Sequence, residues 1–116
     1  MKLRQKQARF VSLVARLIMR AELLGYELTF GEAYRSPEEA ARLAKLKKGI
    51  AGSLHTQRLA IDLNLFIDGV YQTQSDAHRP LGEWWQHQST EDVQCVWGGS
   101  WGSDGNHYSI AHGGKK

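Results

Sequence analysis

Two histidines, two aspartates and one arginine carry the chemistry open to this sequence. His55 stands seven residues ahead of Asp62 in SLHTQRLAIDLNLF, and Asp104 stands three ahead of His107 in SDGNHYS. Asp62 falls inside an otherwise apolar, strand-like run, where a charged carboxylate is costly unless something pairs with it. Two histidines and a carboxylate make a catalytic zinc set, with the fourth position left to water. Zinc lowers the pKa of that water toward ~7. A further carboxylate is then needed to take the water's proton and pass it to a leaving amine, and Asp104 is placed for this. Arg35 closes the run YELTFGEAYR, where it can stabilise an oxyanion or grip a substrate carboxylate.

Each residue taken singly also has an ordinary explanation. A lone histidine is more often a surface or hydrogen-bonded core residue than a ligand. A buried Arg or Lys would satisfy Asp62 as well as a metal does. Asp104 before Gly105 suits a turn, and Arg35 before Ser36-Pro37 suits a surface. His78 and His87 read as surface or cleft-lining groups, and Trp84, Trp85, Trp97 and Trp101 read mostly as core.

The elements that position these groups follow from periodicity. Phe10, Leu13, Val14, Leu17, Ile18, Ala21 and Leu24 recur at steps of three and four, predicting an N-terminal helix that ends at Gly25. Alternation over 26–35 predicts a strand that delivers Arg35 to its end. Ser36 as the cap, Pro37 in the first helical position and Glu39 closing a capping box predict a helix start, running to about Lys48 with Gly49 as its stop. Residues 49–53 read as a loop. Residues 58–67 alternate: Leu59, Ile61, Leu63, Leu65 and Ile67 face the core, while Ala60, Asp62 and Asn64 line a cleft floor. Asp68-Gly69 predicts a hairpin turn, with VYQT as the return strand. A helix is expected over 78–88, a short strand near Val96, a last strand from His107, and a frayed tail over 112–116. The fold class is α+β: a small antiparallel sheet with helices packed on one face.

At 116 residues the chain fits one domain, spanning 1–116, with apolar content of 41% that suffices for a core. The net charge of +3 favours an anionic polymer without specifying one. There is no aromatic-interleaved basic stripe and no helix-turn-helix or zinc-finger spacing, so nucleic acid is not an expected partner. The single cysteine, Cys95, makes no intrachain disulfide and reads as a small buried hydrophobe. Arg16 interrupts the apolar N-terminal stretch and no small-residue cleavage site follows, so the chain is expected to be made in the cytoplasm without a signal peptide. No run approaches a membrane span.

Taken together, SLHTQRLAID and DGNH resemble the zinc D-alanyl-D-alanine carboxypeptidase and L-alanyl-D-glutamate peptidase family. That family includes the vancomycin-resistance dipeptidases and carboxypeptidases and several phage endolysins, and is similar in fold to the hedgehog signalling domain. Its pattern is S-x-H-x-x-G-x-A-x-D followed by D/E-x-x-H. YRSPEEAARL and GGSWGSDGNHYS resemble the segments around its catalytic arginine and its last ligand. The resemblance covers about residues 30 to 110. It implies that His55, Asp62 and His107 bind Zn2+, that Asp104 is the general base, and that Arg35 stabilises the transition state. It further implies that Ser53 bonds near the substrate or the metal site. Apart from the resemblance, Arg58 is expected at the cleft mouth and Trp84 at the cleft wall as substrate contacts. Two positions depart from the pattern: Arg58 replaces a glycine, and Ser109 replaces an acidic residue in the family's HFE.

The expected function is hydrolysis of peptidoglycan stem peptides by a monomeric, endolysin-type enzyme that reaches the wall after the membrane is permeabilised. The bond cut is either L-Ala–D-Glu or D-Ala–D-Ala. Two other readings share the ligand set: a catalytically silent zinc module of the same fold, and a mononuclear iron oxygenase. The oxygenase leaves Asp104 without a role, and the silent module leaves both Asp104 and Arg35 without one.

Overall fold

The computed structural model describes residues 1–50 and 52–116; of the predicted 49–53 loop, Ala51 lies outside the described residues. Helix α1 spans Leu3–Leu23 and buries Phe10, Leu13, Val14, Leu17 and Ala21, the stripe its spacing predicts. Strand β1 is Glu27–Phe30 and α2 is Pro37–Lys45. A 3-10 turn over Leu54–Gln57 leads into the central strand β2, Ala60–Ile67. The left-handed Asp68 and Gly69 turn the chain into the two-residue β3, Val70–Tyr71. A 3-10 turn at Ser75–His78 opens α3, Arg79–His87, and β4 is Cys95–Trp97. A third 3-10 turn, Gly98–Trp101, precedes β5, His107–Ile110.

The sheet order is β1-β2-β5-β4, with β3 paired to the far end of β2, and every pairing is antiparallel. This is the expected α+β architecture. Leu59, Leu63 and Leu65 are fully buried, and so are Tyr108 and Ile110 from β5. A chain of edge-on rings ties α1 and α3 to the sheet: Phe10 meets Trp85 at 5.9 Å, and Trp85 meets Tyr108 at 6.1 Å. The Trp85 indole N–H is shared between the Val96 and Ser109 carbonyls, at 3.1 Å each. Tyr108 follows His107, so this stack sets the depth at which β5 presents its histidine. Cys95 is free and buried, and burial pushes its thiol up to about 11, which suits a packing role. No helix among the described residues is long and apolar enough to cross a membrane.

Four local expectations change. β1 stops at Phe30, five residues short of Arg35, because its backbone partner β2 turns its Asp62 N–H to the Glu32 carbonyl and its Asp62 carbonyl to the Gly31 N–H, in an irregular extension. α2 stops at Lys45, and Lys47 takes the left-handed conformation there, two residues before Gly49. Ser36 caps α2 through the Glu39 N–H at 3.1 Å, but the Glu39 carboxylate turns outward to Arg42, so the box is not reciprocal. The 112–116 tail is not frayed: His112 and Lys115 exchange backbone hydrogen bonds at 3.0 Å each way, and Lys6 bonds the His112 ring at 3.3 Å.

Candidate metal centre

Asp62 and His107 face each other directly across the β2–β5 register. Their side chains leave the sheet on the face opposite Leu63 and Tyr108. His55 comes from the 3-10 turn ahead of β2. Ser53 caps that turn by accepting the His55 N–H at 3.2 Å, and Arg58 ends it in the left-handed region. Three ligand atoms converge: His55 Nε2 lies 3.4 Å and His107 Nδ1 3.5 Å from Asp62 Oδ1. All lie within 4.8 Å of one another.

These separations test whether a metal fits. Direct charge-assisted hydrogen bonds run at about 2.7–2.9 Å, and these contacts are longer. Ligands bound about 2.0–2.1 Å from one tetrahedral ion lie roughly 3.3 Å apart, which the two contacts match. The tautomer agrees. The Ala33 carbonyl only accepts, so His55 donates through Nδ1 at 2.9 Å and its bare Nε2 faces Asp62. His107 Nε2 is buried with no hydrogen-bond partner among the described residues, which leaves Nδ1 as the nitrogen that faces the other two ligands. The three residues are therefore close enough, and correctly oriented, to hold a metal ion.

The local charges follow from this cluster. Burial alone would raise the Asp62 carboxyl, but the His107 and His55 rings override it and hold it at about 2. Burial works to lower His55, and the Asp62 and Ala33 contacts more than offset that and raise it. Burial raises Asp104, with the His107 ring opposing.

A cavity of about 360 Å³ opens over the cluster, and Arg35, Ser53, Trp101 and Asp104 line it with the three ligands. Arg35 arrives by loop rather than strand. Its N–H bonds the His55 carbonyl at 3.1 Å, tying this loop to the ligand turn. Its Nε and Nη2 both donate to Glu32 Oε1, the first at 2.9 Å, and this contact raises its pKa further.

The structure thus brings together His55, Asp62, His107, Asp104, Arg35 and Ser53. It does not bring in Arg58 or Trp84. Arg58 turns away, its guanidinium 4.1 Å over the Tyr34 ring in a separate apolar groove with Phe10 and Ile61. Trp84 packs half-buried against the core, because Leu81 and Trp85 fix the inward face of α3. The cleft tryptophan is Trp101, whose ring lies 5.2 Å from His107. Three contributors carry little or no sequence signal. Glu32 lies in a segment whose alternation predicts a strand, although its i,i+3 spacing to Arg35 is visible in the sequence. The Ala33 carbonyl carries no side-chain signal. Trp101 had nothing to separate it from three other tryptophans.

Residues 47–110, over half of the chain, match the family model described as D-alanyl-D-alanine carboxypeptidase. The chain belongs to that family of peptidases. The matched segment contains His55, Asp62, His107 and Asp104, and begins after Arg35. No individually curated protein matches the chain.

Proposed function

We propose that this protein is a zinc-dependent peptidase that hydrolyses peptide bonds in peptidoglycan stem peptides, as an endolysin-type endopeptidase or a carboxypeptidase. The observation that carries the proposal is the convergence of His55, Asp62 and His107 with Asp104 and Arg35 in one cavity. His55, Asp62 and His107 would hold the ion. What zinc supplies there is Lewis acidity and a nucleophilic water at neutral pH.

The chain's own groups do the rest. Asp104, half-buried in the 103–106 turn, takes the proton of the attacking water and returns it to the departing amine. Arg35, fixed in direction by Glu32, places positive charge where the scissile carbonyl oxygen becomes negative. The Ala33 carbonyl keeps the His55 ring in one orientation. Trp101 shields His107 on the open side of the cleft. On this reading the protein is a monomer made in the cytoplasm that reaches the wall after membrane permeabilisation, aided by its net charge of +3.

Mass spectrometry of purified peptidoglycan after incubation tests this. New amino termini within stem peptides, absent with chelator and restored by zinc, are expected. An unchanged digest from a fully zinc-loaded protein would leave only a silent metal module.

A further inference from the structure

A second cavity, of about 190 Å³, lies on the other side of the turn that carries Asp104. The 103–106 turn is the wall between the two: Asp104 lines the metal cleft, and Ser103, Gly105 and Asn106 line the second cavity. Across from them stand Asn64 on β2 and the 72–75 loop, with Tyr71 and His78 at its ends.

This cavity is built into the fold. The Gly105 N–H donates to Ser75 Oγ at 3.0 Å, and its carbonyl accepts the Trp97 indole N–H at 2.7 Å. A Cβ on Gly105 would stand 2.4 Å from the Ser75 Cα, so only glycine lets the two walls meet this closely. The Gln72 N–H bonds the Leu65 carbonyl, and the Leu63 N–H bonds the Asn106 carbonyl, at 2.8 and 2.9 Å. His78 is 97% buried by exposure of 3%, and its Nδ1 is engaged by the Tyr108 hydroxyl at 2.8 Å. Its other nitrogen makes no protein hydrogen bond among the described residues.

The lining selects a chemistry. Amide, hydroxyl and imidazole groups surround the space, and among the described residues no Asp, Glu, Lys or Arg lines it. A charged ligand would be desolvated without a counter-charge, and an apolar one would strand these donors and acceptors. A neutral ligand bearing both donors and acceptors satisfies them. The exposed Tyr71 ring, braced by Phe66 at 5.4 Å, adds a flat apolar surface at the rim. We infer that this cavity is a binding subsite for a neutral N-acetylated sugar. The choice of sugar rests on the peptidoglycan reading above: one turn would then place glycan on one side and peptide on the other.

The test is titration of isotope-labelled wild-type protein with the trimer of N-acetylglucosamine, which contains no peptide bond for the metal cleft to cut. Saturable NMR shifts at Asn64, Gln74, Asn106 and the His78 ring are expected. Gln74→Ala, an exposed site that leaves the fold intact, is expected to weaken binding about five- to tenfold. Tyr71→Ala is the second variant, with a loss of similar size. No saturable shift into the tens of millimolar, or shifts at these residues from a sugar-free stem peptide alone, overturns the inference. Cleavage of that sugar-free peptide, followed separately, reports on the peptidase reading, so the two fail independently.

Discussion

Asp62 and His107 are 45 positions apart in the chain and directly opposite in the sheet, with His107 Nδ1 3.5 Å from Asp62 Oδ1. Their pairing depends on the register of β2 with β5. A slip of one residue would send one of the two into the Leu63–Tyr108 core, and the burial of Leu59, Leu63 and Leu65 forbids that slip. The hydrophobic pattern of β2 therefore sets these two side chains opposite each other as well as building the core.

Asp62→Ala and His107→Ala are each expected to abolish stoichiometric zinc, measured by plasma mass spectrometry after dialysis. Ser53→Ala, which removes only the cap over His55, is expected to weaken zinc affinity about tenfold without abolishing it. Full zinc retention in Asp62→Ala would remove Asp62 from the ligand set.

Arg58 occupies a backbone position suited to glycine, with φ 57° and ψ 35°. Its stacking on Tyr34 offsets that strain. Arg58→Gly is expected to change stability by less than about 1 kcal/mol, because relief of the left-handed strain and loss of the cation–π contact cancel. In a Tyr34→Ala background the same substitution is expected to stabilise. Denaturant melts of the four proteins in this cycle measure the coupling, and a coupling of zero contradicts it.

The fold class and the face of Asp62 were legible in the sequence because local signals carry them, and so were the three residues, His55, Asp62 and His107, that come close enough to hold a metal ion. Strand alternation separates Asp62 from Leu63, and the spacing of two short motifs sets the donors in order. The paths of the irregular segments were not legible. Arg35 depends on where β1 stops, which is decided by the Asp62 backbone rather than by residues 31–35. Trp84 and Trp101 exchange expected roles because helix phase buries Trp85, while a 3-10 turn with no apolar period carries Trp101 to the cleft. The 112–116 tail is held by Lys6, more than 100 residues away, which no local pattern reveals.

Gly82 on α3 faces the ring of Trp97, and a Cβ there would stand 2.0 Å from it. Trp97 is fully buried and its indole N–H holds the Gly105 carbonyl, so the ring has nowhere to move. Gly82→Ala is expected to cost about 1–3 kcal/mol by overpacking, read as a lower denaturation midpoint. An unchanged midpoint would mean that α3 shifts freely against β4.

Burial depresses the His78 pKa from 6.5 to about 4. Between these values the unfolded chain binds the proton and the folded chain does not, so stability rises with pH across that window. The contribution is complete above pH 6.5 and is lost as pH falls toward 4, amounting to roughly 3 kcal/mol. His78→Gln is expected to flatten this acid limb, comparing denaturant melts from pH 4 to 7. A limb of equal slope in the variant would assign the acid sensitivity elsewhere.

Asp104 separates an enzyme from a metal-binding scaffold, so the central measurement is zinc content and hydrolysis rate on the same samples of wild type and Asp104→Ala. Equal zinc is expected in both proteins, with a rate on stem peptide lower in the variant by about 10²–10⁴-fold. Equal rates at equal zinc would contradict it.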